Sequence, residues 1–214
     1  LETLQTIVDS ICGKFEAKNV VRDETLRRSR QLIRYCANAI RATHRDDFSD
    51  AGSLLEMARS SAAEMIADTQ QYPDLFYAGY TQDALKELAE AHITYALVTG
   101  ASLPTPDTLN VEPAAYINGL AEAAGELRRY VLDRLRRGDV ATGERLLAVM
   151  DDIYSLLITV DFPDAVTGGL RRNTDMVRGV LERTRGDLTM AVRQEEMKAA
   201  MRAFGRQVGL ADED

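Results

Sequence analysis

Apolar residues recur at helical spacing along almost the whole chain. Leu4, Ile7, Val8 and Ile11 stand three and four positions apart, and Leu26, Leu32, Ile33, Cys36 and Ile40 take up the same period. That period marks one buried face of a helix. Asp46, Asp47, Ser49 and Asp50 interrupt the run, and a second helix is predicted over Ala51 to Ala67. Gln70 to Asp74, with Pro73, reads as a turn before a helix from about Leu75 to Val98 that Gly100 caps. Pro104, Pro106 and Pro113 make 103–113 the one substantial non-helical connection. Beyond it, Tyr116, Leu120, Ala124, Leu127, Val131 and Leu135 line a helix that ends near Gly138. Leu146, Leu147, Met150, Ile153, Tyr154 and Leu157 line the next. A further helix is predicted after Gly168-Gly169 through Leu181, and a last one from about Asp187 to Phe204. Alternating strand patterns and internal repeats are absent. The expectation is an all-α fold: a single domain, residues 1–214, of about seven helices, with an acidic tail over about 209–214.

The composition fits that picture. Of 214 residues, 45% are apolar and only 6% aromatic, enough to fill a core of aliphatic side chains. No apolar run approaches a membrane span, so no membrane partner is expected. Leu1 to Gln5 shows neither a basic nor an apolar leader region. Two cysteines, Cys12 and Cys36, are too few for a disulfide framework, which points to a reducing cytoplasm. The net charge of −8 argues against coating nucleic acid through the overall field. The positive charge is nearly all arginine, a side chain that grips phosphate bidentately. Local arginine clusters are therefore compatible with a basic groove in an acidic protein, although a GC-rich genome would give the same bias.

The polar faces hold the candidate chemistry. In the Leu75–Val98 helix, Leu85, Leu88, His92 and Ala96 form an apolar stripe. Opposite it stand Asp83, Glu87 and Glu90. Like charges at such spacing weaken a helix by roughly 0.2–0.5 kcal/mol per pair, a penalty that a bound divalent cation reverses. The next long helix places Glu122 and Glu126 four apart, with Arg129 beyond. If the two helices pack antiparallel, Glu87, Glu90, Glu122 and Glu126 converge. An all-oxygen donor set favours Mg²⁺ or Mn²⁺ over zinc. The bland alternative is that these glutamates simply face water, as on any soluble helix. A ferritin-like di-metal site needs Glu-x-x-His, which His92 does not supply. The all-α nucleoside triphosphate pyrophosphatase pattern matches the first pair only. Asp151 and Asp152 read as a polar helix face, and His44 and His92 as structural residues. No nucleophile motif or phosphate loop occurs.

The two acidic elements resemble a known family. Ala84-Leu85-Lys86-Glu87-Leu88-Ala89-Glu90-Ala91 is similar to the Leu-Gln-Glu-Tyr-Val-Glu-Ala element of translin-associated factor X (TRAX). The run from Tyr116 to Arg129 resembles its Tyr-Leu-x-Gly-Val-x-Asp-Leu-x-Gly-Glu-Leu-x-Arg element, with Glu122 where TRAX has Asp. Gly138-Asp139, Leu170 to Glu182, and Val21 to Glu24 with the arginine-rich helix after it extend the similarity over about residues 20–193. The chain is thereby identified as a TRAX-like, prokaryotic or archaeal member of the translin/TRAX family.

That resemblance implies a translin-like bundle assembling into a hollow oligomer, an octamer of this chain or one shared with a translin-like paralogue. It implies a metal-dependent endoribonuclease that hydrolyses phosphodiester bonds in single-stranded RNA. Glu87, Glu90, Glu122 and Glu126 would hold Mg²⁺ or Mn²⁺, and Arg129 and Arg34 would contact RNA phosphates. The longer arm of Glu122 alters the metal geometry relative to Asp. Two rival functions stand beside this one: a non-catalytic, translin-like binder of single-stranded nucleic acid, and an acidic helical interaction module.

Overall fold

A computed structural model describes residues 2–208, and among them every regular element is a helix. Six are long: α1 (Glu2–His44), α2 (Phe48–Thr69), α4 (Gly79–Thr99), α6 (Pro113–Arg136), α7 (Val140–Leu157) and α9 (Leu170–Gln207). Three are single turns: α3 (Pro73–Phe76), α5 (Pro106–Leu109) and α8 (Asp164–Thr167). The chain divides into two compact units. One runs to Ala123 and includes Phe162–Leu170; the other comprises Ala124–Asp161 and the chain from Arg171 onward.

In the first unit, the second half of α1 buries Thr25, Ser29, Leu32, Cys36, Ala39, Ile40 and Thr43, a stripe of alternating four- and three-residue steps. The hydroxyls on this stripe are satisfied within the helix: Thr25 Oγ1 donates to the Val21 carbonyl at 2.7 Å and Ser29 Oγ to Leu26 at 3.0 Å. Asp46 turns the chain with φ +63, and the Asp47 carboxylate caps α2 by accepting from the Asp50 N–H at 3.2 Å. The short connection folds α2 back on α1. α2 answers with Ala51, Leu55, Ala58, Ala62 and Met65, and its three alanines let the two backbones close up. α4 packs against this hairpin and is buried on nearly every side. In the second unit, Leu127, Val131, Leu146, Met150, Ile153, Leu157, Val177, Val180 and Leu181 are buried. There Gly143 lets Leu188 and Leu135 approach closely.

The pattern differs from the structure in three places. The helix expected from Leu75 is broken at Tyr77-Ala78, because Thr81 Oγ1 and Gln82 Nε2 donate to the Leu75 and Phe76 carbonyls and fold a separate turn against the start of α4. The proline-rich connection contains α5, capped by Thr105 and overlaid by Tyr116, whose hydroxyl donates to the Pro104 carbonyl at 2.7 Å. The two helices expected after Gly169 are one, α9, and the three single turns bring the number among the described residues from about seven to nine. Gly186 lies in the expected gap, yet an interior glycine weakens a helix by only about 1 kcal/mol. Hydroxyl back-bonds from Thr184 and Thr189, with Arg128 bonded to both Thr184 and Asp187, carry the helix through it. The acidic tail lies outside the described residues.

His92 on α4 is held neutral. Burial pulls its imidazole down to about 4, the Arg59 charge acts in the same direction, and the backbone hydrogen bond with Leu55 opposes them. The unfolded state therefore takes up the proton first. Stability from this residue is complete above pH 6.5 and declines as pH falls toward 4, by at most about 3 kcal/mol. Urea denaturation across that window should show a shallower pH dependence in His92→Gln than in the wild type.

Candidate metal centre

Glu87 and Glu90 lie three residues apart on α4 and so share one face. That face is not directed at bulk water as a single apolar stripe would require. Ala84, Leu85, Leu88, Ala89, Ala91 and Ile93 are all buried around it, and Glu90 itself is only 8% exposed. Asp83, counted with them in the sequence pattern, is exposed and outside the group. α6 reaches the acids through Gly119. A Cβ there would stand 2.7 Å from the Lys86 carbonyl oxygen and 2.9 Å from both the Glu90 amide nitrogen and the Ala89 Cβ. Only hydrogen fits at that crossing. Glu122, three residues on along α6, consequently faces α4, and one carboxylate oxygen each from Glu87, Glu90 and Glu122 lies within 4.8 Å of the others.

Three negative charges at that spacing repel by roughly 3 kcal/mol per pair at an effective dielectric of about 20. One ammonium offsets them in part: Lys86 Nζ donates to Glu122 Oε1 at 2.8 Å. Burial pulls this lysine down, but the hydrogen bond and charge of Glu122, then the charges of Glu87 and Asp83, outweigh it and hold it above its ordinary value. From α1, the buried Cys36 thiol adjoins the same acids. Burial pushes its ionisation up, and Glu87 and Glu90 push it further. The set is thus oxygen-only and partly desolvated. It fits a hard divalent cation such as Mg²⁺ or Mn²⁺.

The other candidate residues are not part of this group of three. Glu126 follows one turn after Glu122 on α6 and belongs to the second unit, as does the exposed Arg129. Arg34 is exposed on α1, two positions and so about 200° around the helix from Cys36. Much of the early arginine cluster is engaged within the fold: Arg28 pairs with Glu24, Glu64 and Asp68, and Arg27 with Glu24. Asp151 is bonded to Arg185 at 2.7 Å. Sequence reasoning passed over Lys86, Cys36 and Gly119. A glycine in the interior of an otherwise strong helix was the available signal of a close backbone approach.

Known proteins resemble this chain along most of its length. An uncharacterized protein of Methanocaldococcus jannaschii is 31% identical over 197 residues, covering 92% of this chain and 86% of that one. AfC3PO, a translin/TRAX-like protein, is 32% identical in its crystal structure, with a TM-score of 0.81 over 87% of this chain and 97% of that one. The chain belongs to the translin/TRAX family. A second AfC3PO structure, a complex with duplex RNA, matches at TM-score 0.79. Apo-NeC3PO, at 20% identity, shares the translin/TRAX fold at TM-score 0.79 over 86% of this chain and 96% of that one. No family model matches the chain.

Proposed function

We propose that this protein is a metal-dependent endoribonuclease that hydrolyses phosphodiester bonds in single-stranded RNA. The observation that carries the reading is the convergence of Glu87, Glu90 and Glu122 within 4.8 Å. In this proposal those three carboxylates hold Mg²⁺ or Mn²⁺, and Glu126 serves the same centre from the next turn of α6. When bound, such an ion lowers the pKa of a coordinated water and neutralises charge on the phosphodiester. The chain's own groups do the rest. Glu90, the most buried acid, fixes the position of the centre, and Lys86 steadies Glu122. Arg129 and Arg34 grip RNA phosphates through charge-assisted hydrogen bonds. The structure of AfC3PO in complex with duplex RNA supports RNA as the ligand class. A single strand is the substrate we favour, because its backbone bends readily into a recessed acidic site whereas a duplex presents phosphates on a stiff cylinder.

We also infer self-assembly into a hollow octamer, with a translin-like paralogue as an alternative partner. The exposed stripe Leu4, Ile7, Val8, Ile11 and Phe15 on α1 supports association, and light scattering of the purified chain reads the copy number. Function is tested by incubating end-labelled RNA, single-stranded and duplex, with the protein in Mg²⁺ or in EDTA. Internal cuts that need Mg²⁺ and favour the single strand are expected. Binding without cutting in either buffer would replace this reading with that of a translin-like binder.

A further inference from the structure

Lys86 is not a peripheral lysine. Its backbone carbonyl lies under Gly119, where a single Cβ would collide at 2.7 Å, so its main chain is fixed against the helix that carries Glu122. From that anchor the side chain reaches Glu122 Oε1 at 2.8 Å, and both side chains are only about a quarter exposed, at 22% and 25%. The charges of Glu87 and Asp83 act on the same ammonium. A divalent ion would draw one oxygen from each of the three carboxylates. The oxygen that Lys86 bonds belongs to one of the three groups available to such an ion.

We infer that Lys86 is a built-in counter-cation of the carboxylate cluster: it holds Glu122 in place, and a divalent metal has to compete with it for that side chain. Lys86 is in this sense a positioning residue. It sets the metal concentration at which the centre fills and keeps three crowded acids compatible with folding when no metal is bound. The inference rests on the metal-centre reading above. Neutralising Lys86 removes a positive charge from beside the cation and releases Glu122 from its hydrogen bond, and both changes favour the metal.

The test uses the full chain, Mn²⁺ titrated by calorimetry, and thermal denaturation in EDTA and in saturating Mn²⁺. Lys86→Gln is expected to bind Mn²⁺ about tenfold tighter than the wild type. It should melt earlier than the wild type in EDTA, and Mn²⁺ should close that gap. Lys86→Arg, which keeps the charge, should retain affinity near the wild-type value. In a Glu122→Gln background, neutralising Lys86 should change affinity less than about threefold, because the competed ligand is gone. Lys86→Met keeps the alkyl stem and serves the same comparison should Lys86→Gln fold poorly. A folded, neutral variant that binds Mn²⁺ no tighter than the wild type overturns the inference while leaving the metal centre standing. A melting deficit that Mn²⁺ does not repair, with affinity unchanged, also overturns it and makes the pair purely structural. Absence of Mn²⁺ binding in the wild type and all variants overturns the metal-centre reading, and this inference with it.

Discussion

Glu90→Gln is expected to lower Mg²⁺-dependent RNA cleavage by about 10³-fold, equivalent to roughly 4 kcal/mol of barrier, without unfolding the protein. Glutamine matches glutamate in shape, so the packing of this 8%-exposed side chain survives. The charge does not. One of three carboxylates that lie within 4.8 Å becomes neutral, which withdraws a hard anionic ligand. The same substitution relieves like-charge repulsion, so urea denaturation in EDTA should find the variant at least as stable as the wild type. Opposite signs in the two measurements are the signature of a site whose stability is sacrificed for binding. Single-turnover cleavage of labelled RNA provides the rate. Cutting that persists undiminished in Glu90→Gln would exclude the carboxylate cluster from the chemistry and point to a contaminating nuclease.

Gly119→Ala is the second large effect, and its sign follows from two opposing contributions. Alanine favours an interior helix position over glycine by about 1 kcal/mol. Against that, the new methyl would meet the Lys86 carbonyl oxygen at 2.7 Å and the Glu90 amide nitrogen at 2.9 Å. Neither backbone atom can rotate aside, so α4 and α6 must separate. Overpacking of this kind typically costs about 1–3 kcal/mol, and the clash wins. We expect a net destabilisation of about 1–2 kcal/mol, measured by urea denaturation. Mn²⁺ affinity should fall at least about tenfold by calorimetry, since any separation carries Glu122 away from Glu87 and Glu90. Gly125, on the same helix, supplies the contrast. Nothing stands within 4 Å of its virtual Cβ, so Gly125→Ala should be neutral or mildly stabilising. Equal effects at the two glycines would exclude a tight helix crossing at Gly119.

The helices and the acidic pair on α4 were legible because both depend on local periodicity. Glycines at 100 and 138, both with positive φ, stop their helices where the pattern put them. Glu87 and Glu90 share a face by helix geometry alone. What the pattern could not supply was the surroundings of that face. α4 read as amphipathic because Leu85, Leu88 and Ala96 formed one stripe, yet Ala84, Ala91 and Thr94 are buried as well. Short alanine and threonine side chains look neutral in a hydropathy plot but permit helices to close in from several directions. Lys86 was invisible for a related reason: a lysine among glutamates on a helix ordinarily solvates the surface, and its bond to Glu122 spans 36 residues. The continuity of α9 was not legible in the local pattern, because bonds that carry it past Gly186 come from Arg128 in a different helix.

The chemistry of Cys36 leaves the protein with a native reporter. A thiol reacts as its thiolate, and Cys36 is fully buried with its ionisation opposed by two neighbouring acids. Alkylating reagents should therefore pass it by and modify Cys12, which is exposed on α1 one turn from Val8 and adjacent to Ile11. A maleimide dye would label a single position without any engineered substitution. The rate of that labelling, followed as the protein is diluted, would register directly whether another molecule shields the apolar edge of the first helix.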